Sequence, residues 1–371
     1  MTLEFRFAVV SDLHVGLPET IWDHPQRFHL IEVAIPAFEQ ILEHLETEAL
    51  DALFLPGDLV QHGERRNHTW LARRLARLPY PVYVVPGNHD LPLLPRDPER
   101  VVAAEFPQIY RRQGYGAGDR LWYSCTLAPE LQLIGLNSNA YREDGEVVGR
   151  IEGEPLQWLA AELERCRDRF VIVMLHHNLL NHLPRQARHP LGRRYILENA
   201  PELLALLTAA GVELVLTGHL HVQSLRRHGR LRELTTGSLV SYPHPYRLCH
   251  LQRDDQGHTR LSVTSHRIEA VPEFEQLQRF SRRWMGDRSE AFMRRLLTRG
   301  EPALSPAAAD PWLPQLRHFW ADLAAGDARF RFETMPLPLR RFLEEHGNPD
   351  GGDNQSCIDW EPWPRSLPQA I

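Results

Sequence analysis

Lysine is absent from this chain: all 42 side chains of the Lys/Arg class are arginine. Walker-type phosphate loops and Schiff-base mechanisms each require a lysine, so both are excluded. Cysteine is scarce. Cys125, Cys166, Cys249 and Cys357 lie far apart with no CxxC pair, which argues against zinc ribbons and dithiol redox motifs and fits a reduced, cytoplasmic setting. Long apolar runs are missing too; the most apolar stretch, Leu203 to Leu216, is broken by Gly211 and Glu213, so no membrane span is expected. The N-terminus enters a strand-like run at once, without the basic and apolar regions of a signal peptide. A formal net charge of −6 leaves no global basic footprint for nucleic acid. What is there is a globular composition, 43% hydrophobic and 24% charged over 371 residues, enough for one large domain with an extension or for two domains.

Six short apolar runs read as buried strands: Phe5–Val10, Ala52–Leu55, Val82–Val85, Leu131–Leu136, Phe170–Leu175 and Val212–Leu216. Helical patterns lie between them, at Phe28 to Leu45 with Pro36 as an expected kink, Thr69 to Leu78, Pro155 to Cys166, and Pro201 to Ala210. The alternation argues for an α/β layered fold. After Gly218 three further strand-like stretches, Leu225–Leu234, Ser238–Leu251 and Leu261–Ile268, suggest a second sheet. Residues 1–269 are therefore read as the main domain and 270–371 as a helical extension, a cap or a dimerisation element. Within it, Pro302 to Pro314 reads as a linker. Trp360 and Trp363, in an otherwise polar tail, suggest docking beside the cleft.

Polar motifs follow directly on the apolar runs: Asp12-Leu13-His14, Gly57-Asp58, Gly87-Asn88-His89-Asp90, His176-His177 and Gly218-His219-Leu220-His221. Short spacing inside each motif and long spacing between them is how a sheet delivers ligands from strand ends to one rim. Each residue has an ordinary reading alone: Asp12 as a cap, Asn88 as a turn residue, His219 and His221 as incidental. Seven such coincidences at consecutive strand ends are not credible. The carboxylate, imidazole and amide-oxygen mixture suits two metal ions such as Mn, Fe or Zn, with one carboxylate shared between them.

At these five motifs the chain resembles the calcineurin-like metallophosphoesterases, whose pattern is D-x-H, GD, GNHD, a His after a strand, and GH-x-H. The resemblance covers roughly residues 5 to 221. It implies a four-layer α/β/β/α sandwich of two mixed sheets, continued here by the mainly helical extension. It also implies roles: Asp12, His14 and His221 on one metal, Asn88, His176 and His219 on the other, Asp58 bridging, and His89 as the non-ligand histidine that touches the phosphate and helps the leaving oxygen depart. Asp90, His177 and His68 are left as supporting or pocket residues, and His244 as a further substrate contact to test. Asn178 stands where the family often has proline. The absence of an obvious tyrosine ligand sets the chain apart from purple acid phosphatases. Leu136-Asn137-Ser138-Asn139, Gly149-Arg150-Ile151 and Leu156-Gln157-Trp158-Leu159 are similar to the cyclic-nucleotide phosphodiesterase (Icc-like) branch, with Asn137 in place of its Asp. Phe106, Tyr110 and Tyr115 are candidates to stack on a base.

The resemblance thus implies binuclear-metal hydrolysis of a small phosphodiester, a cyclic nucleotide or a glycerophosphodiester, by attack of a metal-bridging hydroxide, in a protein with no membrane partner and a possible homodimer. A nuclease of the double-strand-break-repair type is the alternative. Arg282-Arg283, Arg294-Arg295 and Arg340-Arg341 would serve it, although their spacing also suits solvated helix faces. A non-catalytic scaffold is the remaining one, opposed by the intact ligand set.

Overall fold

Alternation within strands decides the layering. The computed structural model describes residues 3–22, 27–92 and 97–362. Leu131 and Leu133, Ile172 and Met174, and Leu214 and Leu216 point into one buried cluster; Ile134, Val171, Val173 and Val215 point into another. With period-two side chains, both faces of this sheet are therefore covered.

Among the described residues two six-stranded sheets result. The strands, in chain order, are β1 Leu3–Val9, β2 Ala52–Leu55, β3 Val82–Val84, β4 Tyr123–Ala128, β5 Leu131–Gly135, β6 Asn139–Tyr141, β7 Val147–Gly149, β8 Phe170–Met174, β9 Leu214–Thr217, β10 Ser224–His228, β11 Leu231–Thr235, β12 Pro245–Arg253, β13 Thr259–Arg267 and β14 Gln355–Trp360. One sheet runs β14-β13-β12-β1-β2-β3, the other β10-β11-β9-β8-β5-β4, and β6 pairs with β7. The central cluster contains residues of both large sheets. Helices α1 (Ala34–Thr47) and α2 (Arg65–Leu75) bury Phe38, Ile41, Leu42, Leu71 and Leu75 in it. After the short α3 (Phe106–Ile109), α4 (Glu154–Arg165) and α5 (Ala200–Ala209) cover the outer face of the other sheet through Leu159, Leu163, Leu203 and Leu207. This is the layered arrangement of two mixed sheets with flanking helices.

The six early strands divide between the sheets, and so do the later ones. β12 and β13 extend the first sheet beside β1, whereas β10 and β11 join β9 in the second. They form no sheet of their own. The stretch Leu225–Leu234 is a hairpin, turned at Gly229, which has φ +56°. Pro36 does not kink a helix: α1 begins at Ala34, so the proline sits in its first turn, where no partner for its missing N–H is required.

The remaining helices, α6 (Leu277–Arg288), α7 (Glu290–Thr298), α8 (Pro306–Ala309), α9 (Phe319–Ala324) and α10 (Leu337–Glu344), build their own apolar cluster. The Pro/Ala-rich stretch expected as a linker contributes α8 and a 3₁₀ turn over Asp310–Leu316 that buries Leu313 and Leu316. That cluster also takes in Leu220, the residue between His219 and His221, so the extension packs directly against the loop that carries them. Trp360 lies elsewhere. It pairs with Thr259 at the start of β13, meets Phe170 edge to face with ring centroids 5.7 Å apart, and donates Nε1–H to the Arg230 carbonyl at 2.8 Å. It closes the sheet end opposite the motif-bearing rim; Trp363 lies outside the described residues. Trp360→Ala is expected to lower stability by about 3–5 kcal/mol while leaving kcat unchanged, as read by urea unfolding and turnover on one preparation.

Candidate metal centre

β1, β2 and β3 run parallel in one sheet, and β8 and β9 run parallel in the other. Their C-terminal ends carry the five motifs, the position where open α/β sheets bind ligands. The backbone there is unusual. Asp12, His14, Asp58, His219 and His221 all have φ between +45° and +65°. For residues with a Cβ this costs about 1–3 kcal/mol each and persists only where the surroundings impose it. The adjacent glycines explain part of that imposition. A Cβ on Gly87 would lie 2.2 Å from the Asp58 carboxylate and 2.3 Å from the Asp58 backbone nitrogen, and one on Gly218 would lie 2.4 Å from the Asp12 carboxylate. The Gly-Asp, Gly-Asn and Gly-His pairs are therefore steric requirements for packing the carboxylates against neighbouring strand ends.

The structure brings all seven proposed ligands together. Asp12, His14, Asp58 and His221 form one group of converging donor atoms, and Asp58, His176 and His219 form a second, so Asp58 belongs to both. Its Oδ2 lies 3.6 Å from His14 Nε2 and 3.3 Å from His176 Nε2. Asn88 Oδ1 is 3.2 Å from His176 Nε2.

Hydrogen bonds on the far sides of the rings choose the inward atoms. A carbonyl can only accept, so His176 carries its proton on Nδ1, 2.9 Å from Pro56 O, and presents the Nε2 lone pair. His219 donates Nε2–H to Arg194 O at 3.0 Å, leaving Nδ1 free. Asp12 is oriented by the His219 backbone N–H at 3.1 Å and by the Ser11 hydroxyl at 2.5 Å, and its Oδ1 reaches His221 Nε2 at 3.0 Å.

These donors fit a pair of metal ions. His14 and His221 aim Nε2 atoms at each other across 3.4 Å, an arrangement that calls for a shared cation. Burial holds the His14 pKa well down, so its ring stays neutral and ligand-competent. Burial also opposes protonation of His176, yet the Asp58 carboxylate outweighs it and pushes that pKa up to about 9. Asp58 thus favours positive charge beside it, and a cation bound to His176 Nε2 would take the place of that proton. Nitrogen and oxygen donors without thiolate match borderline metals.

His89 stands at the rim outside both donor groups. Its backbone N–H binds Asp58 Oδ1 at 2.9 Å, and its Nδ1–H donates to Gln61 O at 2.6 Å, which leaves Nε2 as its other ring nitrogen. Asp90 does not reach the cleft. It accepts N–H bonds from Leu59, Val60 and Gly87 at 2.8–3.1 Å and so pins the strand-end loops together. His68 is buried beneath the same loop, accepting from Tyr110 OH at 2.9 Å and donating to Asp90 O at 3.3 Å; it braces the loop and does not line the cleft. His177 lines the cleft and is held by Ser138 at 2.9 Å. His244 is buried and bonds Leu239 O at 2.7 Å. Phe106, Tyr110 and Tyr115 are core residues packed edge-on or tilted against one another, not a base platform. Asn178, in place of the family's proline, ties Thr217 and Thr235 with its side-chain amide at 3.0–3.1 Å.

One site residue escapes the sequence motifs. His29 lines the cleft with its ring 4.1 Å from that of His14 and 4.9 Å from that of His221, and a ring nitrogen within reach of both as a third donor. Reading Phe28 to Leu45 as one helix hid it. Pro36, taken as a first-turn proline, would have started the helix later and left His29 on a loop at the rim.

Comparison with known proteins agrees with this geometry. The family profile described as calcineurin-like phosphoesterase matches residues 5–223, more than half of the chain. A 3′,5′-cyclic-nucleotide phosphodiesterase from Nostoc is 27% identical over 239 residues, covering 64% of this chain and 79% of the relative. A glycerophosphodiester phosphodiesterase from Enterobacter lignolyticus is 24% identical over 208 residues, covering 55% of this chain and 66% of the relative. Among solved structures, a dimetal phosphatase from Danio rerio superposes with a TM-score of 0.54 at 14% identity, over 71% of this chain and 96% of that one, and shows the shared fold. With ligands converging at five strand ends and a matching profile across them, the chain belongs to the calcineurin-like phosphoesterase family, hydrolases of phosphate esters built around a dinuclear metal centre.

Proposed function

We propose that the protein hydrolyses small phosphodiesters, with cyclic nucleotides and glycerophosphodiesters as the first substrates to test. The observation that carries this is Asp58, whose carboxylate serves both donor groups at the floor of a cleft of about 300 Å³. Met285, Phe292 and Trp320 of the extension wall that cleft, which suits small esters better than a duplex. Of the three arginine pairs a nuclease would call on, one member of each, Arg282, Arg294 and Arg340, is paired with Asp322, Glu290 and Glu344 at 2.8–3.0 Å. When bound, two metal ions generate a nucleophile from water at neutral pH and neutralise phosphoryl oxygens; Mn, Fe or Zn suits these donors. Asp12, His14, His221 and Asp58 would hold one ion, and Asn88, His176, His219 and Asp58 the other.

His89 supplies the proton the leaving oxygen requires. The Gln61 carbonyl accepts from its Nδ1–H and so fixes the ring, leaving Nε2 for the substrate. Four unpaired cysteines support a reducing, cytoplasmic location. No described helix is long and apolar enough to cross a membrane.

The test is turnover by Mn-loaded protein of bis-p-nitrophenyl phosphate, p-nitrophenyl phosphate, a cyclic nucleotide, glycerophosphocholine and single-stranded DNA. Preference for diesters over the monoester, with hydrolysis of either natural diester, is the expected result. DNA cleavage without small-diester activity would replace the reading with the nuclease.

A further inference from the structure

Beside the metal cleft lies a second cavity of about 490 Å³, within the range of small-molecule sites. It is formed between the loop after β8 and the extension. Three residues, Tyr195, Phe292 and Trp320, line both spaces. Tyr195 sets its ring 5.1 Å from His219, and Phe292 and Trp320 meet edge to face at 4.8 Å. The two spaces thus share three lining side chains, one of which packs against the metal ligand His219.

The character of the cavity is apolar. Leu191, Leu296 and Phe342 add to its wall. Apart from Arg188, whose side chain is exposed at the wall, its polar groups are largely committed within the protein. Gln186 accepts from the His182 and Leu183 N–H groups at 2.7 and 3.1 Å and donates to Asn178 at 3.2 Å. Arg185 pairs with Glu345 and Glu301 at 2.7 and 2.9 Å. His346 donates to Phe342 O at 2.8 Å. His189 Nε2 is a buried polar atom left without a partner, one group against the several polar edges of a nucleobase. Hydrocarbon satisfies such a wall and a base does not.

We infer that this cavity receives an alkyl arm of the substrate while the phosphate occupies the metal cleft, so that the preferred substrate is a phosphodiester with an apolar chain. The inference rests on the proposed phosphodiesterase reading and narrows its substrate class. Cyclic nucleotides then use the metal cleft alone and are the poorer substrates.

Two measurements on the Mn-loaded full chain separate the inference from the reading beneath it. Calorimetric titration with methyl phosphate and n-octyl phosphate tests the cavity without requiring turnover. Each buried methylene contributes a factor of about four, so octyl phosphate is expected to bind at least about tenfold more tightly even if only part of the chain enters. Leu191→Trp, at a half-buried position that tolerates bulk, is expected to remove most of that preference by filling the cavity. Equal affinities for the two phosphates, or a preference that Leu191→Trp leaves intact, would overturn the inference. Turnover of methyl and octyl p-nitrophenyl phosphodiesters tests the reading. Hydrolysis of both without a chain-length effect on kcat/KM also overturns the inference while leaving the phosphodiesterase standing. Failure to hydrolyse either overturns the phosphodiesterase, and with it the assignment of an alkyl-phosphodiester substrate.

Discussion

Asp58→Ala is expected to leave the protein without its metal pair and to lower kcat by about 10⁴-fold or more. Asp58 is the one carboxylate common to both donor groups, so its loss removes a ligand from each at once. Without metal, water keeps its pKa near 15.7 instead of falling to about 7, and no other described residue supplies that nucleophile. Elemental analysis of the purified variant checks the first part. Thermal unfolding checks it independently, since a metal held at 100 times its Kd stabilises the fold by about 2.7 kcal/mol. Chelation should therefore lower the Tm of the wild type and leave that of Asp58→Ala unmoved. Asp58→Asn separates charge from shape. It keeps an oxygen to accept the His89 N–H at the 2.9 Å position, so the rim loop stays ordered while the negative charge is gone. A fully loaded Asp58→Ala would sink the shared-carboxylate assignment.

The site was far more legible in the sequence than the fold around it, for a physical reason. A ligand delivered by a strand end is announced locally, by an apolar run, a glycine and a donor. Asp58, Asn88 and His219 are of that kind, and His221 follows in the same motif; Asp12 and His176 are announced by the apolar run and donor alone, while Gly57, Gly87 and Gly218 mark backbone that must pass close to another strand end. His29 is delivered by a loop before α1 and has no such announcement; only the preference of Pro36 for a first turn hints at it. Strand pairing is the opposite case. Nothing local tells β12 to lie beside β1 across more than two hundred residues, or β10 and β11 to join β9, because pairing is chosen by long-range packing. The tail shows the same limit. Trp360 was legible as a docking residue, but its place came from β14 adding to β13, which put it at the far end of the sheet. The residues that do border the cleft, Met285, Phe292 and Trp320, carry nothing in the sequence that separates them from ordinary helix positions.

His89→Ala is expected to retain both metal ions and still lose about 10²–10⁴-fold in kcat on substrates that expel an alkoxide, such as a cyclic nucleotide. The two halves of that expectation come from the same geometry. His89 belongs to neither group of converging donors, so its ring contributes nothing to metal affinity. Its backbone N–H, which holds Asp58, survives truncation to alanine. What disappears is the proton donor fixed by the Gln61 carbonyl. A leaving group that departs readily as an anion has little use for that proton. On bis-p-nitrophenyl phosphate the same variant should therefore lose only about tenfold, the part owed to contact with the phosphate. Comparing kcat losses across the two leaving groups distinguishes the roles. Equal losses on both would mean that His89 stabilises phosphoryl charge and donates no proton. An emptied metal site in His89→Ala would instead make it a ligand and overturn its place outside the donor set.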